Sequence, residues 1–301
     1  MMELSMAGKL DFSKSIKKQR QKIEKLLTKV LDKQTNCSPR ELKQAMNYAV
    51  LGGGKRFRAM LIYAAGEAVG VANKYLSSSA CAIELVHAFS LVHDDLPAMD
   101  NSNTRRGRPT CHIKFGEDVA ILAGDALMVA AFHAITDDRL LDAAQKLSLI
   151  NLLIKASGVD GIAGGQYLDI RPQKPSLPKD LKKMYSLKTG ALLKASIEMG
   201  IAMGAVSKNK RLLFREIGLL AGIAFQIKDD LADLEGSAEE LGKDVGVDGL
   251  RDRITYPRLK GIKAAKLELA KVKKQLTKIL AQLKLPIDSE LVRLLGEIVG
   301  L

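Results

Sequence analysis

The stretch AILAGDALMVAAFHA at residues 120–134 is apolar nearly all round a helix, with only Asp125 and His133 breaking the pattern. A helix with apolar surface on every side belongs in the middle of a bundle, surrounded by other helices. LLAGIAFQI at 219–227 has the same character. Two such helices predict an all-α protein, a large bundle whose buried central helices surround a deep cavity, a common setting for a ligand or metal site.

The rest of the chain agrees. Helix formers dominate its 301 residues, with no Trp and 4% aromatics, which disfavours strands. Ile16, Ile23, Leu27, Val30 and Leu31 recur at helical spacing on a lysine-rich first helix. Ser38-Pro39-Arg40-Glu41 reads as N-cap, N1 proline and first-turn acid of a short helix that ends at Leu51, before Gly52-Gly53-Gly54. Further helices are predicted over 57–69, from 75 to beyond Asp95, and over 117–135, 138–156, 178–203, 208–235, 256–283 and 287–299. Gly and Pro cluster in loops at 100–112, 158–176 and 236–254. No alternating stretch long enough for a strand and no repeat is visible, and nothing marks a domain boundary. One domain over 1–301 is the economical reading.

A formal charge of +13 predicts an anionic partner: nucleic acid, a membrane surface or a phosphorylated small molecule. The lysine runs near both ends read as solvated helix faces. Cys37, Cys81 and Cys111 are odd in number and lack CxxC spacing, which predicts a reducing compartment. With no apolar leader and no uninterrupted apolar run of about 18 residues, the chain reads as cytoplasmic and soluble, without stable membrane insertion.

Two acidic clusters narrow the partner. LVHDDLPAMD at 91–100 places Asp94, Asp95 and Asp100 after an apolar helix. Adjacent carboxylates at a helix C-terminus add to the negative end of the dipole and need a positive counterpart. That could be a salt bridge to Arg105 or Arg106, or a cation. FQIKDDLAD at 225–233 repeats the pattern with Asp229, Asp230 and Asp233. Asp229 and Asp233 share a face, about 40° apart. If the two helices face each other, hard oxygen ligands converge, and these suit Mg2+ held with substrate phosphates. Cations lie close by in sequence: Lys55, Arg56 and Arg58 beside Gly52–Gly54, then Arg105, Arg106 and Arg108, Lys188 and Lys243. GGGK lacks Walker A spacing.

In order, GGGKRFR (52–58), HDDLPAMD (93–100), RRGRPTCH (105–112), AGDAL (123–127), GGQYLDI (164–170), KTGAL (188–192) and FQIKDDLAD resemble the motifs of trans-isoprenyl diphosphate synthases of the bacterial farnesyl type. The resemblance covers most of the chain, through ITYP at 254–257. It implies the isoprenoid synthase fold, a homodimer, to which the large apolar helices also point, and a prenyltransferase. That enzyme would join isopentenyl diphosphate to dimethylallyl and geranyl diphosphate, releasing pyrophosphate. It also implies about three Mg2+ per active site, with Mn2+ as the alternative.

Carried over by motif, the metal ligands would be Asp94, Asp100 and Asp229, helped by Asp95, Asp230 and Asp233. Asp94, Asp95, Asp100, Asp229 and Lys188 would be catalytic. Gly54, Lys55, Arg58, His87 and Arg106 would hold isopentenyl diphosphate. Arg105, Lys188, Thr189, Gln226 and Lys243 would hold the allylic diphosphate; Gln166 and Asp169 are weaker candidates. On a regular helix Asp94 and Asp100 would splay by about 120°, so the helix should distort near Pro97. Phe89, about 7.5 Å down the helix from Asp94, and Ser90 would cap the pocket at a fifteen-carbon product. The chain departs from the family at Asn101–Thr104, where further acids are usual, and at Arg253, where a lysine is common. The alternatives are a longer-chain (geranylgeranyl) synthase, a terpene cyclase or squalene-type enzyme, a catalytically silent synthase subunit, and a nucleic-acid binder. The last is disfavoured because no base-stacking motif is present.

Overall fold

A computed structural model of the chain describes residues 6–34, 39–170, 177–235 and 254–301. Fourteen helices are described: α1 Met6–Gln34, α2 Arg40–Leu51, α3 Phe57–Glu67, α4 Ser77–Asp94, α5 Cys111–Phe115, α6 Glu117–Thr136 and α7 Ala143–Ser157; then α8 Ile162–Ile170, α9 Pro178–Tyr185, α10 Ala191–Ile201, α11 Lys208–Glu235, α12 Tyr256–Lys260, α13 Ile262–Gln282 and α14 Glu290–Val299. A 3-10 turn spans Asn73–Tyr75 and a π-helical turn spans Ser186–Gly190.

The helices that the bundle encloses most fully are α3, α4 and α10. Every residue from Ala59 to Gly66 is buried, as is nearly all of α4 from Ser78 to Val86. α6 packs along α4 through small residues, among them Ala120, Ala123, Gly124, Ala130, Ala131 and Ala134. Its other face is open, contrary to the expectation from 120–134: Ile121, Leu122 and Val129 are exposed. Apolarity all round shows that a helix can be covered on every side, and here one side has no cover among the described residues.

Several boundaries moved for local reasons. α2 begins at Arg40, because Pro39 is extended (φ −53°, ψ 133°) and stands at the cap position rather than inside the helix. Ser38 lies outside the described residues. α7 begins at Ala143 rather than 138. Asp138 turns its carboxylate to the Leu140 N–H, and Asp142 forms a capping box with Gln145. The helix expected over 178–203 is interrupted by the π turn, and the one over 256–283 by Gly261. The loop expected at 158–176 contains α8. The 100–112 loop carries a minimal hairpin, Thr104–Arg105 (β1) paired with Arg108–Pro109 (β2). Its two turn residues, Arg106 and Gly107, both have positive φ (54° and 72°), as a two-residue hairpin turn requires.

Candidate active site

The site is built around the C-terminal half of α4. Glu84, a lone carboxylate in an apolar run, is buried and binds two groups of the preceding loop. Its Oε1 accepts from the Ala59 N–H (3.1 Å), and its Oε2 accepts from Arg56 Nη1 (3.3 Å). Arg56 also donates to the Val50 carbonyl (2.6 Å) and holds a left-handed backbone (φ 57°). Arg56 is therefore a buried strut and not an open cation. By fixing the start of α3 it sets where its neighbours stand: Lys55 is exposed and Arg58 half-buried. Gly54 is needed here. Its φ is 124°, and a Cβ would sit 3.0 Å from the Arg106 guanidinium, which donates to the Gly53 carbonyl.

One turn beyond Glu84, His87 faces the charges of Arg58, Arg106, Arg105 and Arg56. Burial first, and then these cations, hold its pKa well below the usual 6.5, so the imidazole is neutral. Burial likewise lowers Arg58 and Arg106 from the ordinary arginine value. Arg58 Nε is buried without a hydrogen-bond partner among the described residues. Four guanidinium groups around a neutral ring form a strongly electropositive recess, the environment an anion such as a diphosphate requires.

About two turns beyond His87, α4 ends. The helix stops at Asp94, instead of continuing beyond Asp95 and distorting near Pro97 as the sequence predicted; the chain turns back so that the Asp100 N–H donates to the Asp94 carbonyl (2.8 Å). This return relieves the 120° splay. Asp95 is turned to the hairpin, where Arg105 grips both its oxygens (Nε–Oδ2 and Nη2–Oδ1, each 2.7 Å). The salt bridge weighed from the sequence thus forms at Asp95. Burial pushes the Asp95 carboxyl up, and the Arg105 fork opposes the shift. Asp94 is pushed up to about 6, by burial first; Lys188 opposes this and Asp100 adds to it. A cleft of about 50 Å³ lies between α2, α4 and the hairpin, lined by Gly52, Ala88, Asp95, Arg105, Arg106 and Arg108. Tyr48 fixes the hairpin from below: its hydroxyl donates to the Pro109 carbonyl (2.8 Å), and the Arg108 guanidinium stacks 4.1 Å from its ring centroid.

The π turn carries Lys188 and Thr189 and joins the two acidic clusters. Lys188 pairs with Asp169 of α8, and its charge reaches Asp94. Thr189 donates to Gln226 Oε1 on α11 (2.9 Å). Isolated π turns are uncommon and occur often at functional sites. On α11, Asp230 is turned into the protein. It accepts from Gln226 (3.0 Å), from the Tyr185 hydroxyl and from the Tyr256 N–H (3.3 Å). Asp233 is buried and Asp229 half-buried. Gln166, on α8, buries both amide atoms without a hydrogen-bond partner among the described residues. Phe89 is half-buried against the core, and the Ser90 hydroxyl donates back to the His87 carbonyl (2.9 Å). Lys243 and Arg253 lie outside the described residues.

Glu84 and Tyr185 were not singled out from the sequence. A lone acid within the apolar run 80–92 was the available signal for Glu84; nothing local marks Tyr185, whose partners come from α11 and α12.

The polyprenyl synthetase family model matches residues 39–287. The chain belongs to that family. It is 45% identical over 228 residues to the farnesyl diphosphate synthase of Haemophilus influenzae, covering 75% of this chain and 77% of that one. The fold matches the crystal structure of a geranyltransferase from Legionella pneumophila with a TM-score of 0.82 and 32% identity, over 98% of this chain and 100% of that one. A geranyltransferase from Helicobacter pylori, complexed with magnesium and isoprenyl diphosphate, matches with a TM-score of 0.81 and 29% identity, over 99% of this chain and 98% of that one.

Proposed function

We propose that the protein condenses isopentenyl diphosphate with dimethylallyl and then geranyl diphosphate, giving farnesyl diphosphate and pyrophosphate. The observation that carries this reading is the pairing, about two turns apart on α4, of an arginine recess around neutral His87 with the raised, half-buried carboxylate of Asp94. The recess suits a diphosphate that stays bound; the acids suit one that leaves with metal.

The donor set fits Mg2+. It is all carboxylate, and Asp94 and Asp100 raise each other's charge burden. Among the described residues no three His, Cys, Asp or Glu side chains close on a metal by themselves. That matches an ion held by one or two carboxylates plus phosphate oxygens. Asp94 and Asp100 on one side and Asp229 on the other would hold such ions, with Asp233 behind Asp229. Asp95 and Asp230, expected among the ligands, are already used by Arg105 and by Tyr185, Gln226 and Tyr256; their role is to anchor the clusters. Bound Mg2+ would supply Lewis-acid stabilisation of the departing pyrophosphate.

The chain's own groups do the rest. Lys55, Arg58, His87 and Arg106 hold isopentenyl diphosphate, with Gly54 giving it room. Lys188, hydrogen-bonded Thr189 and Gln226 orient the allylic partner, and Lys243 adds charge. The allylic C–O bond breaks with its electron pair leaving on pyrophosphate. The isopentenyl double bond then forms the new C–C bond, and a proton is lost to restore a double bond. Fixed cations, positioning and exclusion of water provide the rate. Phe89 closes the pocket at fifteen carbons.

The partner is a second copy of the chain. The exposed apolar residues Ile121, Leu122 and Val129 on α6 and Leu147 and Ile154 on α7 support this. α6 is long and apolar enough to cross a bilayer by composition alone. Because one face is already buried on α4, a protein cover is the better account, and the protein is read as cytoplasmic. Pyrophosphate release tests the reaction. It should require Mg2+, isopentenyl diphosphate and an allylic diphosphate together, and should fall at least 100-fold in Asp94→Asn. Release without isopentenyl diphosphate at the full rate would instead indicate a cyclase or hydrolase.

A further inference from the structure

We propose that His93 and Gly124 fix product length by bracing Phe89, so that the gate is three residues on two helices. The inference rests on the farnesyl reading above. Phe89 and His93 are one turn apart on α4 and meet edge to face, ring centroids 4.9 Å apart at 76°. The imidazole is itself held: Nε2 lies 3.1 Å from the Ile121 carbonyl oxygen on α6. A carbonyl only accepts, so Nε2 carries the proton. Asp125 Oδ1 stands 3.8 Å from the same nitrogen. The ring fits because residue 124 has no side chain. A Cβ on Gly124 would lie 2.2 Å from Nε2 and 2.4 Å from Cδ2. The imidazole is thus wedged between the Phe89 ring and the α6 backbone.

A ring that closes a pocket sets a sharp length limit only while it cannot swing to another rotamer. Phe89 packs against the core on one side, and His93 supplies the edge contact from the turn above. Without that contact the ring gains freedom, and a longer chain can pass. Gly124 acts through His93, and Phe89 is the group that meets the chain end; His93 and Gly124 are positioning residues.

The test uses the full-length protein with Mg2+, geranyl diphosphate and excess isopentenyl diphosphate, reading products by mass. Wild type, Phe89→Ala, His93→Ala and Gly124→Ala are compared, with folding checked by thermal melting. His93→Ala should raise the ratio of twenty- to fifteen-carbon product at least tenfold. Gly124→Ala, whose Cβ would displace the His93 imidazole, should do the same with the sequence of α4 unchanged, and alanine is well tolerated in helices; it decides the matter if His93→Ala does not fold. A ratio of products is insensitive to a general loss of rate or stability, which a merely structural role would produce. Fifteen-carbon product alone from both variants, while Phe89→Ala makes twenty, would overturn the brace and leave the gate. Fifteen carbons alone from Phe89→Ala would overturn the gate and the brace with it.

Discussion

At Glu84 one carboxylate takes hydrogen bonds from Arg56 and from the Ala59 amide, and all three groups are buried. Removing one member of such a pair strands a charge in low dielectric and typically loses about 3–5 kcal/mol. Glu84→Ala should therefore lower stability by about that amount in urea unfolding. The milder Glu84→Gln should raise KM for isopentenyl diphosphate more than for the allylic substrate, since the loop it holds presents Lys55 and Arg58. Equal rises for both substrates would contradict this role. Asp94 gives a pH prediction. Its folded pKa, about 6, lies above its ordinary 3.8. The fold thus favours the protonated acid, and the stability this contributes is present below about pH 4 and lost as pH rises through 6. Without Mg2+ or diphosphate, Asp94→Asn should be more stable than wild type at pH 7.5, with the gap narrowing by pH 4.5 and closing below about pH 4. An equal gap at both pH values would contradict it. The acids of both clusters were legible in the sequence as residues. Their division of labour was not, because whether Asp95 or Asp94 faces inward depends on where Arg105 arrives from the hairpin.

The decisive elements are the end of α4, the hairpin and the π turn. All three place charge where regular helix geometry would not. The helix stops at Asp94, so Asp100 can return to it; the positive φ of Arg106 and Gly107 turns Arg105 toward Asp95. Periodicity located the long helices, but it cannot report a five-residue π turn inside a continuous helical pattern such as 178–203. The turn depends on tertiary contacts, including Gly165, whose missing side chain lets the Lys188 backbone approach. Lys188 should matter for the allylic site above all. Lys188→Ala should reduce kcat/KM for geranyl diphosphate at least tenfold, with a smaller change in KM for isopentenyl diphosphate. A loss confined to the latter would reverse the assignment of the two subsites.

For the whole molecule, composition and apolar helices were enough to read an all-α bundle, and ordered motifs were enough to read its family. The placement of 120–134 was misread for a physical reason. Apolar surface that the fold leaves open is indistinguishable in sequence from apolar surface that it covers. The open face of α6 predicts a solution mass twice the 32.7 kDa of one chain. Val129→Asp with Leu122→Asp should shift light scattering toward the single-chain mass; a monomeric wild type would contradict the proposed cover. The central claim is the reaction and its length limit. The most direct test is mass analysis of the product made with Mg2+ from isopentenyl diphosphate and either dimethylallyl or geranyl diphosphate. The account predicts one fifteen-carbon diphosphate from both primers. A twenty-carbon or longer product would contradict the Phe89 limit, and no condensation product from folded, metal-loaded protein would contradict the reaction itself.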